Sequence, residues 1–226
     1  MIFTLKFLSQ ALLEGVAPLT CLKCAEPIPF ESHVAGVCSF CVMNWGVFES
    51  DMTSITLFRE RFYVEWIAVG FRLRESGTSA IIHRCKYGGA PKCIKKLGRW
   101  MARRWPSPPS GSVLIPIPIH WKRRLQRGYN QAKLFADGMA EVWEVEVDSG
   151  TLLRLKHGKS LTGSSRQGRG EALKKTFGCH HKKMSDQRLV ILVDDVLTTG
   201  ATLRACRDAL EKQGQKVVGA VVLAMA

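Results

Sequence analysis

The run Val190-Ile191-Leu192-Val193-Asp194-Asp195-Val196-Leu197-Thr198-Thr199-Gly200-Ala201-Thr202 constrains the fold more than any other stretch of this chain. Four apolar residues, two adjacent carboxylates and a short hydroxyl-rich loop follow one another directly. A strand buried on both faces reads as a continuous apolar run, because helices cover both sides of a parallel sheet. Such strands present ligand-binding groups at their carboxyl ends, where a helix begins. The loop Thr198 to Thr202 supplies backbone N–H groups, hydroxyls and a helix start, which together suit a phosphate. Asp194 and Asp195 would repel that phosphate and suit ribose hydroxyls instead. The implied ligand is a sugar 5′-phosphate. The plainer alternative is a buried strand followed by a Thr-capped helix.

The same run resembles the PRPP-binding motif of type I phosphoribosyltransferases across all of its positions. The resemblance implies that Asp194 and Asp195 bind the ribose 2′- and 3′-hydroxyls and that Thr198, Thr199, Gly200, Ala201 and Thr202 hold the 5′-phosphate. The order strand, loop, helix is the context such a motif requires.

The rest of the chain reads as alternating strands and helices, which implies a parallel α/β sheet. A helix is expected over Phe3 to Leu13, a cysteine module over Thr20 to Asn44, and a connection over Gly46 to Tyr63. Val64 to Leu73 reads as a strand and Thr78 to Lys86 as a helix, broken by Lys86-Tyr87-Gly88-Gly89. Pro91 opens a helix to Trp105, since proline is tolerated in a first turn. Val113-Leu114-Ile115 reads as a buried strand ending in Pro116-Ile117-Pro118, and Asn130 to Trp143 as a helix. Thr151 to Leu155 reads as another strand. The polar stretch Lys156 to Gly170 is a loop of the length that is usually functional or disordered, with a helix after it to Phe177. A helix from Gly200 to Gln213 and a strand from Lys216 to Leu223 close the pattern.

A chain of 226 residues can bury a core of about 150 residues and still carry a small module. The expected division is an N-terminal helix and cysteine module over 1–45 and a larger domain over 46–226. No apolar run is long enough to cross a bilayer. Lys6 and Gln10 interrupt the apolar start, which reads as an amphipathic helix rather than a signal peptide, so the expected location is cytoplasmic.

The formal net charge is +14, and it is unevenly placed. From Ser76 to Ala136 there is no Asp or Glu, while thirteen Lys and Arg residues fall there. Such a field attracts pyrophosphate groups, nucleic acid or an anionic membrane surface; the plain alternative is a solvated basic face. The eight cysteines include two knuckles, Cys21-x-x-Cys24 and Cys38-x-x-Cys41. That spacing places four thiolates around Zn²⁺, as in zinc ribbons. A segment so short and so poor in large apolar residues needs a cross-link. A disulfide pair is the alternative, disfavoured in a cytosolic setting.

A second constellation runs from Ile115-Pro116-Ile117-Pro118-Ile119-His120 through Trp121-Lys122-Arg123-Arg124-Leu125-Gln126-Arg127 to Gly128-Tyr129-Asn130-Gln131. The prolines fix a stiff turn at a strand end, and the basic residues beyond it suit a pyrophosphate. Asn130 and Gln131 offer further donors. Taken with the cysteine knuckles, Lys86-Tyr87-Gly88-Gly89 and the acid–threonine run, this order of motifs resembles the ComF family, including GntX-type proteins, from Cys21 to the C-terminus.

That resemblance implies a type I phosphoribosyltransferase fold with a small N-terminal zinc ribbon, its metal on Cys21, Cys24, Cys38 and Cys41. It also implies PRPP with Mg²⁺ at the motif, a link to natural transformation, and single-stranded DNA or a protein of the uptake machinery as partner. Lys86, Arg123 and Arg124 are candidates for the pyrophosphate, and Lys156 and Arg169 for a lid. Gly158 and Leu161 stand where the family usually has Thr and Gln, which favours binding over turnover. Three readings stay open: a PRPP-binding protein of DNA uptake, an active phosphoribosyltransferase of nucleotide metabolism, and a single-stranded nucleic-acid-binding module with a vestigial sugar-phosphate site.

Overall fold

The structure is a computed structural model; it describes residues 19–21, 23–28, 33, 34, 36–43, 56, 58, 59, 62, 64–73, 77–87, 91–155, 176–180 and 188–226. The cysteine module comes first. It has strands β1 (Leu19–Thr20), β2 (Pro27–Ile28), β3 (His33–Val34) and β4 (Val37–Cys38), followed by helix α1 (Ser39–Met43). β1 pairs antiparallel with β2, and β3 with β4. Two-residue strands cannot stand alone.

The larger part begins with β5 (Trp66–Arg72), α2 (Thr78–Tyr87) and α3 (Pro91–Ala102). β6 (Ser112–Pro116), α4 (Trp121–Arg127), α5 (Gln131–Trp143) and β7 (Glu146–Val147) follow. A hairpin of β8 (Leu152–Arg154) and β9 (Phe177–Cys179) precedes β10 (Leu189–Leu197), α6 (Ala201–Glu211) and β11 (Lys216–Met225). The central sheet has the order β5-β11-β10-β6-β7, and every pairing in it is parallel.

The apolar run at β10 lies in the middle of this sheet and is buried from Val190 to Val193. Alternate residues of a strand point to opposite faces. Ile191 and Val193 join Phe135 and Met139 of α5 in one buried cluster, while Val190 and Leu192 join Leu203 and Cys206 of α6 in the other. The continuous hydrophobicity thus has its physical cause in two covered faces. The cysteine module is tied to the first of these layers. Cys21, Val37, Cys41 and Val42 belong to the same buried cluster as Ile81, Ile94 and Leu97 of α2 and α3.

The expected fold class holds, with local corrections. The strand read at Thr151 to Leu155 exists, but it pairs antiparallel with β9 outside the parallel sheet. Phe177, read as a helix end, begins a strand. The basic turn after His120 contains a helix, α4. It was missed because it buries no residue and so carries no apolar stripe. β7 escaped notice because it is only two residues long. Within the stretch read as a connection, residues 56, 58, 59 and 62 are helical. The helix expected at Phe3 to Leu13, the loop at Lys156 to Gly170 and the division at residue 45 lie outside the described residues.

Candidate functional site

Adjacent strands β6 and β10 send the chain in opposite directions. β6 continues through α4 and α5 to β7 at one edge, and β10 through α6 to β11 on the other side. The two connecting helices cover opposite faces of the sheet. In open α/β sheets ligands bind at the carboxyl ends of strands at such a switch point.

The β6–β10 pairing stops there. The β6–β10 ladder ends at the pair Pro116 and Val193. Ile117 N–H still donates to the Val193 carbonyl at 2.9 Å, but the groups of the next rung are engaged locally: the Ile117 carbonyl accepts from the Asn130 amide at 3.0 Å, and Asp195 N–H donates to the Asp194 carboxylate at 2.8 Å. β10 runs on to Leu197 while β6 turns away. The result is a cleft of about 210 Å³ bordered by Asp194, Asp195, Thr202, Arg123, Arg127 and Arg154, and also by Asn130 and Gln131.

Several sequence candidates therefore meet. The acids come from the end of β10, Thr202 from the first turn of α6 and Arg123 from α4. The Asp194 carboxylate accepts from the Asp195 backbone N–H at 2.8 Å. Thr198 and Thr199 are exposed on the loop. Thr199 Oγ1 accepts from Ala201 N–H at 3.4 Å. Gly200 adopts φ 70°, a left-handed conformation, and gives α6 no side-chain cap. A side chain there would also drive a Cβ into the Phe62 ring. The uncapped first turn leaves donors for an anion.

Arg124 is exposed on α4 and does not border the cleft. Its neighbour Arg127, at the i+4 position from Arg123, does. Lys86 lies on α2, and nothing of its side chain is described. Lys156 and Arg169 lie outside the described residues.

Arg154 is the residue that sequence reasoning missed. It ends β8 and reaches the cleft beside Asp194. Burial, and after it the nearby Arg123, pull its guanidinium below the usual arginine range. The guanidinium lies 5.3 Å from the centre of the Phe177 ring, a cation–π contact. The available signal was an arginine directly after the apolar pair Leu152-Leu153.

His120, grouped in the sequence with the basic residues, serves the backbone. Its Nδ1 accepts from Lys122 N–H at 3.2 Å and caps α4. Asn130 is likewise committed: its amide donates to the Ile117 carbonyl at 3.0 Å and its oxygen accepts from Ala132 N–H at 3.1 Å. Gly128, at φ 79°, closes α4.

The second candidate site is the cysteine cluster. The sulfurs of Cys21, Cys24, Cys38 and Cys41 all lie within 4.8 Å of one another, and Cys24 and Cys38 are 3.9 Å apart. Four sulfurs at zinc–sulfur bond length on a tetrahedron stand about 3.8 Å apart. The 3.9 Å separation is far beyond a disulfide bond, and the described cysteines are all free thiols. Lys23 N–H and Cys38 N–H each donate to Cys21 Sγ at 3.4 Å, and Cys41 N–H to Cys38 Sγ at 3.4 Å. Burial raises the Cys21 thiol, but backbone N–H bonds from Cys24, Cys38 and Lys23 outweigh it and bring it down to about 6. Burial and the neighbouring thiols push Cys41 up to about 12. The cluster can hold a metal ion.

Comparison with known proteins adds the family. The family described as phosphoribosyl transferase domain matches residues 132–226. Competence protein F of Haemophilus influenzae is 35% identical over 103 residues, covering 45% of this chain and 45% of that protein. Competence protein ComFC of Bacillus subtilis is 36% identical over 102 residues, covering 44% of this chain and 39% of that protein.

This chain is similar to ComF-type, phosphoribosyltransferase-like proteins.

DNA utilization protein YhgH of Salmonella typhi is also similar, 27% identical over 62% of this chain and 63% of that protein. The chain thus matches between 39% and 63% of the length of these relatives. Among solved structures, adenine phosphoribosyltransferase of Leishmania tarentolae is similar at 16% identity and a TM-score of 0.36, over 60% of this chain and 71% of that one. An allosteric regulatory enzyme of purine biosynthesis is similar at 16% identity and a TM-score of 0.40, over 63% of this chain and 30% of that one.

Proposed function

We propose that this ComF-like protein binds PRPP or a related sugar phosphate in the cleft between β6 and β10 and works in the handling of incoming DNA. One observation carries the binding claim. The switch-point cleft joins a pair of carboxylates, an uncapped helix start and three arginines along its border. In this reading Asp194 and Asp195 hold the ribose hydroxyls, and Thr198 to Thr202 hold the 5′-phosphate through hydroxyls and backbone N–H groups. Arg123 and Arg127 face the ligand's other anionic group. Arg124 is left to the outer field, and Lys86 stays a candidate for the pyrophosphate.

Mg²⁺ fits a site of this composition, since it takes oxygen ligands and keeps several waters when held by a carboxylate and phosphates. Bound there, it would neutralise charge on the leaving pyrophosphate. The chain's own contribution is to orient the ribose on the acids and to set positive groups where charge develops. Zn²⁺ on Cys21, Cys24, Cys38 and Cys41 is proposed as a structural metal, because four protein thiolates leave it no open position. A cytoplasmic setting suits both PRPP and reduced thiols.

The link to DNA uptake rests on the names of the relatives, two of which are competence proteins. A particular observation favours a nucleic-acid contact as well. α4 buries no residue, and Trp121 and Leu125 are 60% and 76% exposed on it. Lys122 lies 5.5 Å from the Trp121 ring, and no acid occurs from Ser76 to Ala136. An exposed aromatic beside phosphate-binding cations is how single strands are held.

Calorimetric titration with PRPP and Mg²⁺ tests the cleft, and binding is expected. No detectable binding would overturn the sugar-phosphate reading. Release of pyrophosphate on adding nucleobases would convert the binder into an enzyme. Binding of single-stranded DNA should weaken steeply as salt rises, and a salt-independent or absent response would remove the nucleic-acid role.

A further inference from the structure

Two polar groups in the cleft stand out by what they lack. Gln131 is 3% exposed, yet its Nε2 has no hydrogen-bond partner. Arg154 Nε is also buried without a partner. Both residues border the cleft. A buried donor left unsatisfied costs free energy, so native proteins rarely keep one without a use.

The neighbouring Asn130 sharpens the point, because both polar ends of its amide are engaged by backbone. Of two adjacent amides at the start of α5, one is spent on the fold and the other is kept open. Gln131 sits on the side of Asp195, with which it also borders a small apolar void beside Ile94 and Phe135. Arg154 sits on the side of Asp194, whose charge it feels. The two uncommitted donors therefore approach the acid pair from the two faces of the sheet. Arg123 is close enough to Arg154 to disfavour its charge. A nearby like charge disfavours a cation, and an anion bound between the two arginines would relieve that repulsion.

We propose that Gln131 and Arg154 are ligand-binding residues that donate to a second phosphate or pyrophosphate group, one separate from the 5′-phosphate held at the Thr loop. The proposal rests on the sugar-phosphate reading of the cleft and adds what distinguishes a doubly anionic ligand from a singly phosphorylated sugar. Gln131 contributes shape and a neutral donor; Arg154 contributes charge and a planar fork already packed on Phe177. Both donors are fixed before the ligand arrives, which lowers the ordering cost of binding.

The test uses Gln131→Leu and Arg154→Met in the full chain, titrated with pyrophosphate, PRPP and ribose 5-phosphate in the presence of Mg²⁺. Pyrophosphate and PRPP should bind about tenfold to a hundredfold more weakly to each variant, the range for a hydrogen bond to a charged group. Ribose 5-phosphate should bind within about twofold of wild type. Arg154→Lys should recover part of the loss, because it restores the charge without the fork. Gln131→Leu should melt at or above the wild-type temperature, since it removes an unsatisfied buried donor; a residue with a structural role would lower it. Undiminished pyrophosphate and PRPP affinity in both variants would overturn the assignment while leaving the sugar-phosphate reading intact. Wild-type binding of pyrophosphate but not PRPP, lost in the variants, would uphold the anion subsite and sink the sugar reading. A wild type that binds neither ligand would overturn both.

Discussion

The cysteine module and the β6–β10 cleft are held together by opposite means. The module's strands are two residues long, and its cluster of four sulfurs sits partly exposed. The cleft grows from a strand buried on both faces, and its acids, turn and helix start are positioned by backbone pairing and caps. A scaffold of the second kind is formed before any ligand arrives. One of the first kind needs a cross-link to exist, because so little apolar surface cannot offset the entropy of ordering. Yet the two are joined, since Cys21, Val37 and Cys41 pack in the same layer as α2 and α3. The module braces one face of the fold, and metal at the cysteines should be felt by the whole chain.

The largest expected effect follows from that joining. Removing metal with a chelator, or replacing Cys41 by Ser, should lower the melting temperature by at least about 5 °C. Metal analysis should find about one zinc per folded chain. An unchanged melting temperature would show that the module is as self-sufficient as the sheet, and the contrast would fail.

Gly200→Ala probes the other region. The residue adopts φ 70°, and an added methyl group collides with the Phe62 ring. Strain and overpacking should cost about 2 kcal/mol, read by urea unfolding. Affinity for ribose 5-phosphate should fall as the Thr loop shifts. Normal stability in this variant would mean that Phe62 moves aside easily and that the loop is less rigid than the sheet beneath it.

The smallest effect concerns the α3–α5 contact behind the cleft. Glu141 is hydrogen-bonded by Arg99 and Lys95, which hold its carboxyl down at about 2. A depressed carboxylate contributes stability above the ordinary carboxylate range, and that contribution is lost as pH falls through about 2. The pair is on the surface, so Glu141→Gln should change thermal stability at neutral pH only slightly and less again in high salt. A large loss would place more of the scaffold's rigidity on surface charge than on the buried sheet.

The legible parts of the sequence were those with a local cause. The β10 run announced a doubly covered strand, and the two knuckles announced four converging thiols. Pro116 and Pro118 marked the place where the ladder stops. Less legible were features that depend on distant partners. α4 has no buried side, so no periodicity betrays it. Arg124 and Arg127 look equivalent in sequence, and only the helical turn decides that Arg127 faces the cleft with Arg123. Arg154 is brought in by a hairpin outside the main sheet, and Asn130 and Gln131 differ in role only because one of them finds backbone partners.

The central claim is that the acid pair at the end of β10 receives a ribose phosphate in a cleft formed before the ligand arrives. It is tested most directly by calorimetric titration of PRPP with Mg²⁺ into the wild type and Asp195→Asn side by side, with melting curves for both. The account predicts binding to the wild type, a loss of about tenfold or more in the variant, and similar melting temperatures without ligand. Equal affinity in the two proteins, or no binding to either, would contradict it.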